Sequence, residues 1–300
     1  MNKDLQAIAT VGTFDGVHLG HRFLVEQVTA AARRRGLRPL VITFDRHPSS
    51  LFGYNKPSLT TLDDKRLRLR SMGVEVVVMP FDHALATLSA LTFMELLRDE
   101  YQVCSLVIGY DNRFGHKGTQ VETLSDYVRY GRQLGIDVIG APPCPPLSAG
   151  VPSSSLIRSC LLAGRIDEAN SLLGYAYTLH GRVVHGRHVG TQMGFPTANL
   201  TVGNGCLVPQ SGVYAVRCTT EEASQVVYDG MMNIGTRPTF AGGGQTIEVH
   251  LFDFQGDLYG QQLTVSVVSR LRSEQPFPSA EALSQQLQLD KEAAKSRLSS

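Results

Sequence analysis

The stretch "ATVGTFDGVHLGH", residues 9–21, decides how this chain is read. It closes the apolar run "LQAIATV" (5–11), which reads as a buried strand. Two Gly, an Asp and one His follow before "LGHRFLVEQVTAAARRR" (19–35), which carries a second His at 21 and where Phe23, Leu24, Val28 and Ala31 fall close to one helical face. Strand, glycine turn, helix is the unit of a parallel sheet, and the first half of the chain repeats it. "LRPLVITF" (37–44), "VEVVVMPF" (74–81), "VCSLVIG" (103–109) and "IDVIGAP" (136–142) read as strands. "LDDKRLRLRSMG" (62–73), "LTFMELLRDEY" (91–101) and "TLSDYVRYGRQLG" (123–135) read as the helices between them. Strands this continuously apolar need cover on both faces. The first half is therefore expected to be an α/β doubly wound domain with five strands.

The pattern changes after the loop "PPCPPLSAGVPSSS". "SLIRSCLLAG" and "RIDEANSLLG" read as short helices, and beyond Tyr175 the helical period is gone. "YTLHGRVVHG" (177–186), "GVYAVRCTT" (212–220), "QVVYDGMMNIG" (225–235), "TIEVHLFDF" (246–254) and "GQQLTVSVVSRLR" (260–272) read as strands between Gly-rich turns. Short antiparallel strands in this number close into a barrel or sandwich, and an antiparallel β-barrel with terminal helices is expected here. Two polar helices, 279–288 and 290–298, are expected to end the chain. The domain boundary is placed near residue 175, giving domains 1–175 and 176–300.

Composition narrows the function. A length of 300 residues suffices for two cores. The net charge of +1 gives no sign of a nucleic-acid footprint or a membrane-surface patch. The cluster "ARRRG" (32–36) sits where a helix should end, and cations suit that terminus. Five Cys, an odd number without a CxxC pair, argue against a disulfide framework or zinc knuckle and fit reduced thiols in a cytoplasm. No apolar signal core opens the chain, and no apolar run nears the ~20 residues that span a bilayer.

Within "GTFDGVHLGH", Gly12 and Gly16 let backbone approach a ligand, and the following helix turns its N–H groups and positive dipole end toward an anion. His18 and His21, spaced H-x-G-H, can both face that anion and hydrogen-bond phosphate oxygens as charge builds. A single His in a turn is more often structural; two, flanking Gly between strand and helix, favour chemistry. No GxxxxGK[ST] occurs, so this is not a P-loop.

The pattern resembles the H-x-G-H nucleotidyltransferases, and most of all the FAD synthetase module of the bacterial bifunctional riboflavin kinase/FAD synthetases. "TFDRHP" (43–48), "GYDNRFGHKGTQ" (109–120) and "SSSLIR" (153–158) agree with it. The resemblance implies that Gly12, Phe14, Asp15, Gly16, His18, Gly20 and His21 surround ATP. It places Asn112, Arg113, Phe114 and Gly115 at the nucleotide or flavin pocket, and Ser153, Ser154, Ser155 and Arg158 on phosphate. Read alone, the three Ser are an N-cap cluster and Arg158 a surface cation. Ser155 stands where the family more often has Thr, and Asn112 where it has an aromatic. The implied reaction is attack of the FMN phosphate on the α-phosphorus of ATP, with release of pyrophosphate and no general base.

The second constellation is "GRVVHGRHVGTQMGFPTANL" (181–200). Its glycines, Gly186 and Gly190 among them, admit a phosphate chain close to backbone, and Pro196 stiffens it. Thr197 and Asn199 offer oxygens that Mg²⁺ accepts. Read alone, it is equally a loop with a capped end. It resembles the PTAN signature of riboflavin kinases, and "SGVYAV" (211–216), "MNIGTRPTF" (232–240), "IEVHLFDF" (247–254), "DLYG" (257–260) and "RLRSEQPF" (270–277) follow in the family's order.

Alternation puts Val249 and Leu251 on one side of their strand and Glu248 and His250 on the other. A Glu on a strand face is usually solvated. The resemblance makes Glu248 the general base that takes the ribityl hydroxyl proton as riboflavin attacks the γ-phosphate of ATP. It has Thr197 and Asn199 hold Mg–ATP, Asn233, Gly235, Thr236 and Arg237 border the substrate cavity, and Arg272 and Glu274 form a flap near the flavin. His250 reads as structural.

The expected partners are ATP, riboflavin, FMN and FAD, with Mg²⁺ as cofactor and neither nucleic acid nor membrane. Two other readings compete. One is a kinase whose N-terminal half is degenerate at Asn112. The other is a flavin-binding carrier without turnover.

Overall fold

The structure is a computed structural model. It describes residues 6–54, 56–115, 122–185, 195–203, 205–223, 225–236 and 245–299. The chain divides into two compact units, Met1–Ser154 and Ser155–Ser300.

The first unit carries five parallel strands, β1 (Ala7–Val11), β2 (Arg38–Phe44), β3 (Glu75–Met79), β4 (Val103–Ile108) and β5 (Asp137–Gly140), in the order β3-β2-β1-β4-β5. Its helices are α1 (Leu19–Arg35), α2 (Leu62–Arg70), α3 (His83–Thr87), α4 (Ala90–Tyr101) and α5 (Leu124–Leu134). The short α3 and a 3₁₀ turn at Pro48–Phe52 are too brief to leave a period in the sequence. Every residue of β1 is buried, as its unbroken apolar run demands. Ala7, Ala9, Val11, Leu40 and Ile42 pack on one face against Phe93, Met94 and Leu97 of α4 and Tyr127 of α5. Ile8 and Val107 face the other way, against Val28, Ala31 and Ala32 of α1. Truncating a buried anchor such as Leu97 to Ala would cost about 2–5 kcal/mol.

The helix ends follow from local chemistry. Thr61 and Ser89 cap α2 and α4, Thr123 and Asp126 form a capping box on α5, and Gly36 closes α1 in the left-handed conformation. The chain lays down β2 and β3 on one side of β1 and then crosses to β4 and β5 on the other. That reversal makes the carboxyl ends of β1 and β4 a topological switch point, where open α/β sheets bind ligands.

The second unit begins within α6 (Ser154–Leu162), continues through α7 (Ile166–Leu173), and then closes six antiparallel strands into a barrel in the order β10-β7-β6-β11-β8-β9. They are β6 (Tyr177–Val184), β7 (Ala198–Val202), β8 (Gly212–Thr220), β9 (Tyr228–Thr236), β10 (Gln245–Leu251) and β11 (Gln262–Arg272). β7 corrects the sequence reading, which left the PTAN segment without a strand. Its five residues alternate too briefly to announce themselves, and their strand state comes from pairing with β6 and β10.

Buried Tyr214, Val216, Met232, Ile234, Val249 and Val267 take one set of alternate positions and fill the barrel. Ala215 and Met231, on the outer face, pack with Phe195, Phe252 and the last helix. That helix is a second correction. α8 runs unbroken over Ala280–Leu298, where two helices were expected. No Gly or Pro interrupts it, and Asp290, read as a helix start, is buried mid-helix as the partner of Arg272.

Two candidate active sites

The first site is the turn between β1 and α1. Phe14 (φ 49°), Gly16 (φ 83°) and Val17 (φ 38°) all lie in the left-handed region. For a β-branched valine this is a costly conformation, and such strain persists where the surroundings over-determine it. Here they do. Phe14 and Val17 are buried, and Val17 N–H donates to the Phe14 carbonyl at 3.1 Å. Asp15 Oδ1 accepts the Leu59 N–H at 2.8 Å, its carbonyl accepts the Ser154 hydroxyl at 2.9 Å, and Gly16 N–H reaches Thr60 Oγ1 at 3.3 Å.

His18 is the N-cap of α1, with Nδ1 accepting from the His21 N–H at 3.3 Å. The two imidazoles stack with centroids 3.6 Å apart, and the Phe14 ring leans on His21 at 5.1 Å. Gly20 permits this: a Cβ there would lie 2.9 Å from the Pro152 carbonyl and 3.2 Å from the His18 ring. A Cβ on Gly12 would press on the Phe14 ring at 3.1 Å. Burial, then His18, then Lys65 hold His21 well below the usual histidine value, so its ring is neutral, with Nδ1 buried and without a hydrogen-bond partner among the described residues.

Lys65 of α2 was missed by the sequence reading. Its ammonium donates to the Phe44 carbonyl at 2.8 Å and the Thr13 carbonyl at 3.2 Å. The signal was its spacing, one turn before the buried Leu69 on the same helical face. Asp45, inside the quoted "TFDRHP", accepts the Phe81 N–H at 2.8 Å, and this bond and Arg46 hold its carboxyl low against the opposing effect of burial.

At the end of β4, the Asn112 side chain donates to the Val11 carbonyl and so ties the two strand ends at the switch point. Arg113 folds onto the carbonyls of Tyr110 and Asn112. Phe114 packs between Phe93 and Tyr127, whose hydroxyl bonds both its N–H and its carbonyl. Gly115 (φ 93°) has no room for a side chain, since a Cβ would sit 2.6 Å from the Ala90 nitrogen. Ser153 and Ser154 belong to this unit, while Ser155 and Arg158 fall in the second.

The second site lies on the barrel wall. Glu248 of β10 stands opposite Asn199 of β7 on one side and Asn233 of β9 on the other. Val213 is opposite Asn233, and Arg272 opposite Val213. One row around the barrel thus carries Asn199, Glu248, Asn233 and Arg272 on the outer face. A cavity of about 270 Å³ opens on that face, lined by Glu248, Asn233, Thr197, His250, Arg272 and Glu274, with Phe195, Phe277, Leu283 and Leu287 as apolar walls. A second cavity of about 210 Å³ lies at Pro196, Ala198, Val249, Leu251, Phe254 and the segment 256–259. Thr197 borders both.

His250 is buried with Nδ1 on the Pro196 carbonyl at 2.8 Å, which fixes the PTAN backbone. Burial leads in lowering its pKa, against the pull of that bond. It lines the cavity as well, so it is structural and also part of the wall. Arg272 is held by Asp290 of α8, through Nε at 2.8 Å and Nη2 at 2.7 Å, and lies over Phe277 at 5.6 Å. Asp290 left no signal in the sequence, because a lone Asp in a polar helix reads as solvated. Glu274 presses against Gly235, where a Cβ would fall 2.4 Å from its carboxylate oxygen. Thr236 ends β9. Gly186, Gly190 and Arg237 lie outside the described residues.

Family models match both halves of the chain, FAD synthetase over residues 1–155 and riboflavin kinase over 173–298. The chain is a bifunctional riboflavin kinase/FMN adenylyltransferase by family. The relative of that description in Bacillus subtilis is 35% identical, over 97% of this chain and 92% of its own. The one in Escherichia coli K12 is 37% identical, over 96% and 91%. Among solved structures, the crystal structure of a macrolide-efflux protein from Streptococcus pneumoniae matches with a TM-score of 0.88 at 31% identity, over 98% of this chain and 96% of the other. No helix among the described residues is long and apolar enough to cross a membrane. The FAD synthetase half thus holds the H-x-G-H turn, and the riboflavin kinase half the Asn–Glu–Asn row.

Proposed function

We propose that this chain phosphorylates riboflavin to FMN at the barrel wall and adenylylates FMN to FAD at the β1–α1 turn, using ATP at both sites. The functional modules are assigned to 1–175 and 176–300, and the working compartment to the cytoplasm. The observation that carries the kinase reading is the row Asn199–Glu248–Asn233 beside an apolar cavity. An isoalloxazine ring fits walls of Phe195, Phe277, Leu283 and Leu287, and its ribityl chain then runs toward Glu248. Glu248 accepts the proton of the attacking hydroxyl. ATP occupies the neighbouring cavity, with Pro196 along its phosphates and Thr197 where the two substrates meet; Gly186 and Gly190, outside the described residues, are assigned to the same phosphates by the family resemblance alone. Asn233 borders the flavin, and Arg272 and Glu274 hold its outer wall; Arg237, outside the described residues, is assigned to the flavin side by the family resemblance alone.

The Thr197 hydroxyl and Asn199 amide, near Glu248, are hard oxygen donors of the kind Mg²⁺ takes together with nucleotide phosphates. Among the described residues no cluster of three His, Cys, Asp or Glu could hold a metal alone, which suits an ion brought by its nucleotide. When bound, Mg²⁺ neutralises charge on the transferring phosphoryl group.

At the first site the strained turn and the start of α1 receive the ATP phosphates, with Gly12, Phe14, Asp15, Gly16 and Gly20 giving close approach. His18 and His21 donate to phosphate oxygens as the FMN phosphate displaces pyrophosphate. Ser153, Ser154, Ser155 and Arg158 are assigned to phosphate, and Asn112, Arg113 and Phe114 to the flavin side. The nucleophile is already an anion, so positioning and charge neutralisation carry the rate.

The test is a time course with riboflavin, excess ATP and MgCl₂, the flavins separated by chromatography. FMN that rises and then gives way to FAD is the expected result. FMN alone would leave a kinase, and no phosphorylated flavin would leave a binding protein.

A further inference from the structure

We propose that Lys65 is a positioning residue of the first site: its buried ammonium joins the ends of β1 and β2 beneath the H-x-G-H turn and, granted the adenylyl-transfer reading of that site, sets the geometry and charge in which His21 works.

The geometry has three parts. Lys65 is only 9% exposed, although it sits on a helix otherwise rich in solvated charge. Its Nζ bonds two carbonyls, that of Phe44 at the end of β2 and that of Thr13 just past the end of β1, and a small polar cavity bordered by Thr13, Asp15, Asp45 and Thr60 lies beside it. Thr13 immediately precedes the left-handed residues, and Asp15 within them is fixed by Leu59. An apolar side chain would fill the same volume at lower cost, so packing alone does not account for a buried cation. Pinning the carbonyl next to a strained turn does account for it.

Charge completes the case. Burial lowers Lys65 to about 8, with Asp15 and Asp45 pulling the other way, so it is largely cationic at neutral pH. Its charge joins burial and His18 in keeping His21 neutral. The groups bearing on His21 are His18 and Lys65; those bearing on Lys65 are Asp15 and Asp45, with Arg46 and His47 also lining the cavity. A neutral His21 donates one hydrogen bond to a phosphoryl oxygen without placing a second cation against the stacked His18 ring.

The experiment uses the full chain with Lys65→Met, Lys65→Gln and Lys65→Arg. Each is read by NMR titration of the His21 ring and by FAD formation from FMN and ATP, with FMN formation from riboflavin as the reference in the same chain. Met and Gln should move the His21 midpoint to higher pH and lower FAD formation by on the order of 10- to 100-fold, mostly in kcat. Arg should keep the midpoint and recover most of the rate.

An unmoved midpoint together with FAD formation within twofold of the parent would overturn the proposal. So would an Arg variant as slow as Met at an unchanged midpoint, which is what a purely packing role predicts. If Met unfolds the first unit, Gln, which keeps an N–H donor for the carbonyls, and Arg decide between these. The unaltered chain supplies a further check: FAD formation should have an alkaline limb near pH 8 that FMN formation lacks, and its absence counts against Lys65. A parent chain that makes no FAD would sink the adenylyl-transfer reading, while the His21 midpoint in the variants still judges Lys65.

Discussion

Glu248 of β10 lies directly opposite Asn199 of β7, so the carboxylate and the PTAN amide share one face of the barrel wall. Antiparallel partners have Cβ atoms about 4.5–5.5 Å apart, which places both side chains within reach of one phosphoryl group. Register thus brings two distant motifs to one face of the barrel wall.

Glu248→Gln keeps the shape and removes the proposed base. FMN formation should fall about 10²- to 10⁴-fold. FAD formation from supplied FMN should stay within twofold. Initial rates measured separately with riboflavin and FMN check this, and a variant retaining half its kinase rate would exclude Glu248 as the base.

His21→Ala should have the converse effect, lowering FAD formation about 10²- to 10³-fold and sparing FMN formation. Gly20→Ala should do the same for a steric reason, since its Cβ meets the Pro152 carbonyl and the His18 ring. Assays with FMN as the starting flavin decide. Loss of both reactions in either variant would refute independent sites.

Asp290→Ala leaves Arg272 without its carboxylate partner in a largely buried setting. The cost should be about 3 kcal/mol, read as a lower urea midpoint for the second unit. Since Arg272 and Leu287 line the same cavity, the KM for riboflavin should rise while the FMN-to-FAD step does not change. A normal KM would mean that α8 closes the core without shaping the flavin cavity.

His21 and His250 both titrate below the ordinary 6.5 in the folded chain. Below pH 6.5 the unfolded chain therefore binds more protons. The stability that these neutral rings confer is complete above 6.5 and is lost as pH falls through their lowered values. Lys65, at about 8 folded against 10.5 ordinarily, adds stability that grows as pH rises from 8 to 10.5. Urea unfolding from pH 5 to 10.5 checks the signs. His250→Gln should flatten the acid side for the second unit, and a decline between pH 8 and 10.5 that Lys65→Met abolishes would show the Lys65 sign to be wrong.

The sequence by itself determined the unit plan, because period and continuity report burial directly. The β1 run and the α1 stripe could only be a covered parallel strand and its helix, and the short alternating strands after Tyr175 could only pair with one another. It also singled out the candidate chemical motifs, since H-x-G-H and P-T-A-N are local in the chain. Tertiary structure alone decided what those residues face. β7 exists because β6 and β10 pair with it. The two expected terminal helices fuse into α8 because Asp290 has Arg272 to neutralise it, and Lys65 is a buried strut because Thr13 and Phe44 end beside it. Each depends on a partner distant in sequence. A side chain's local pattern is the same whether it meets that partner or water, so only the folded chain distinguishes the two.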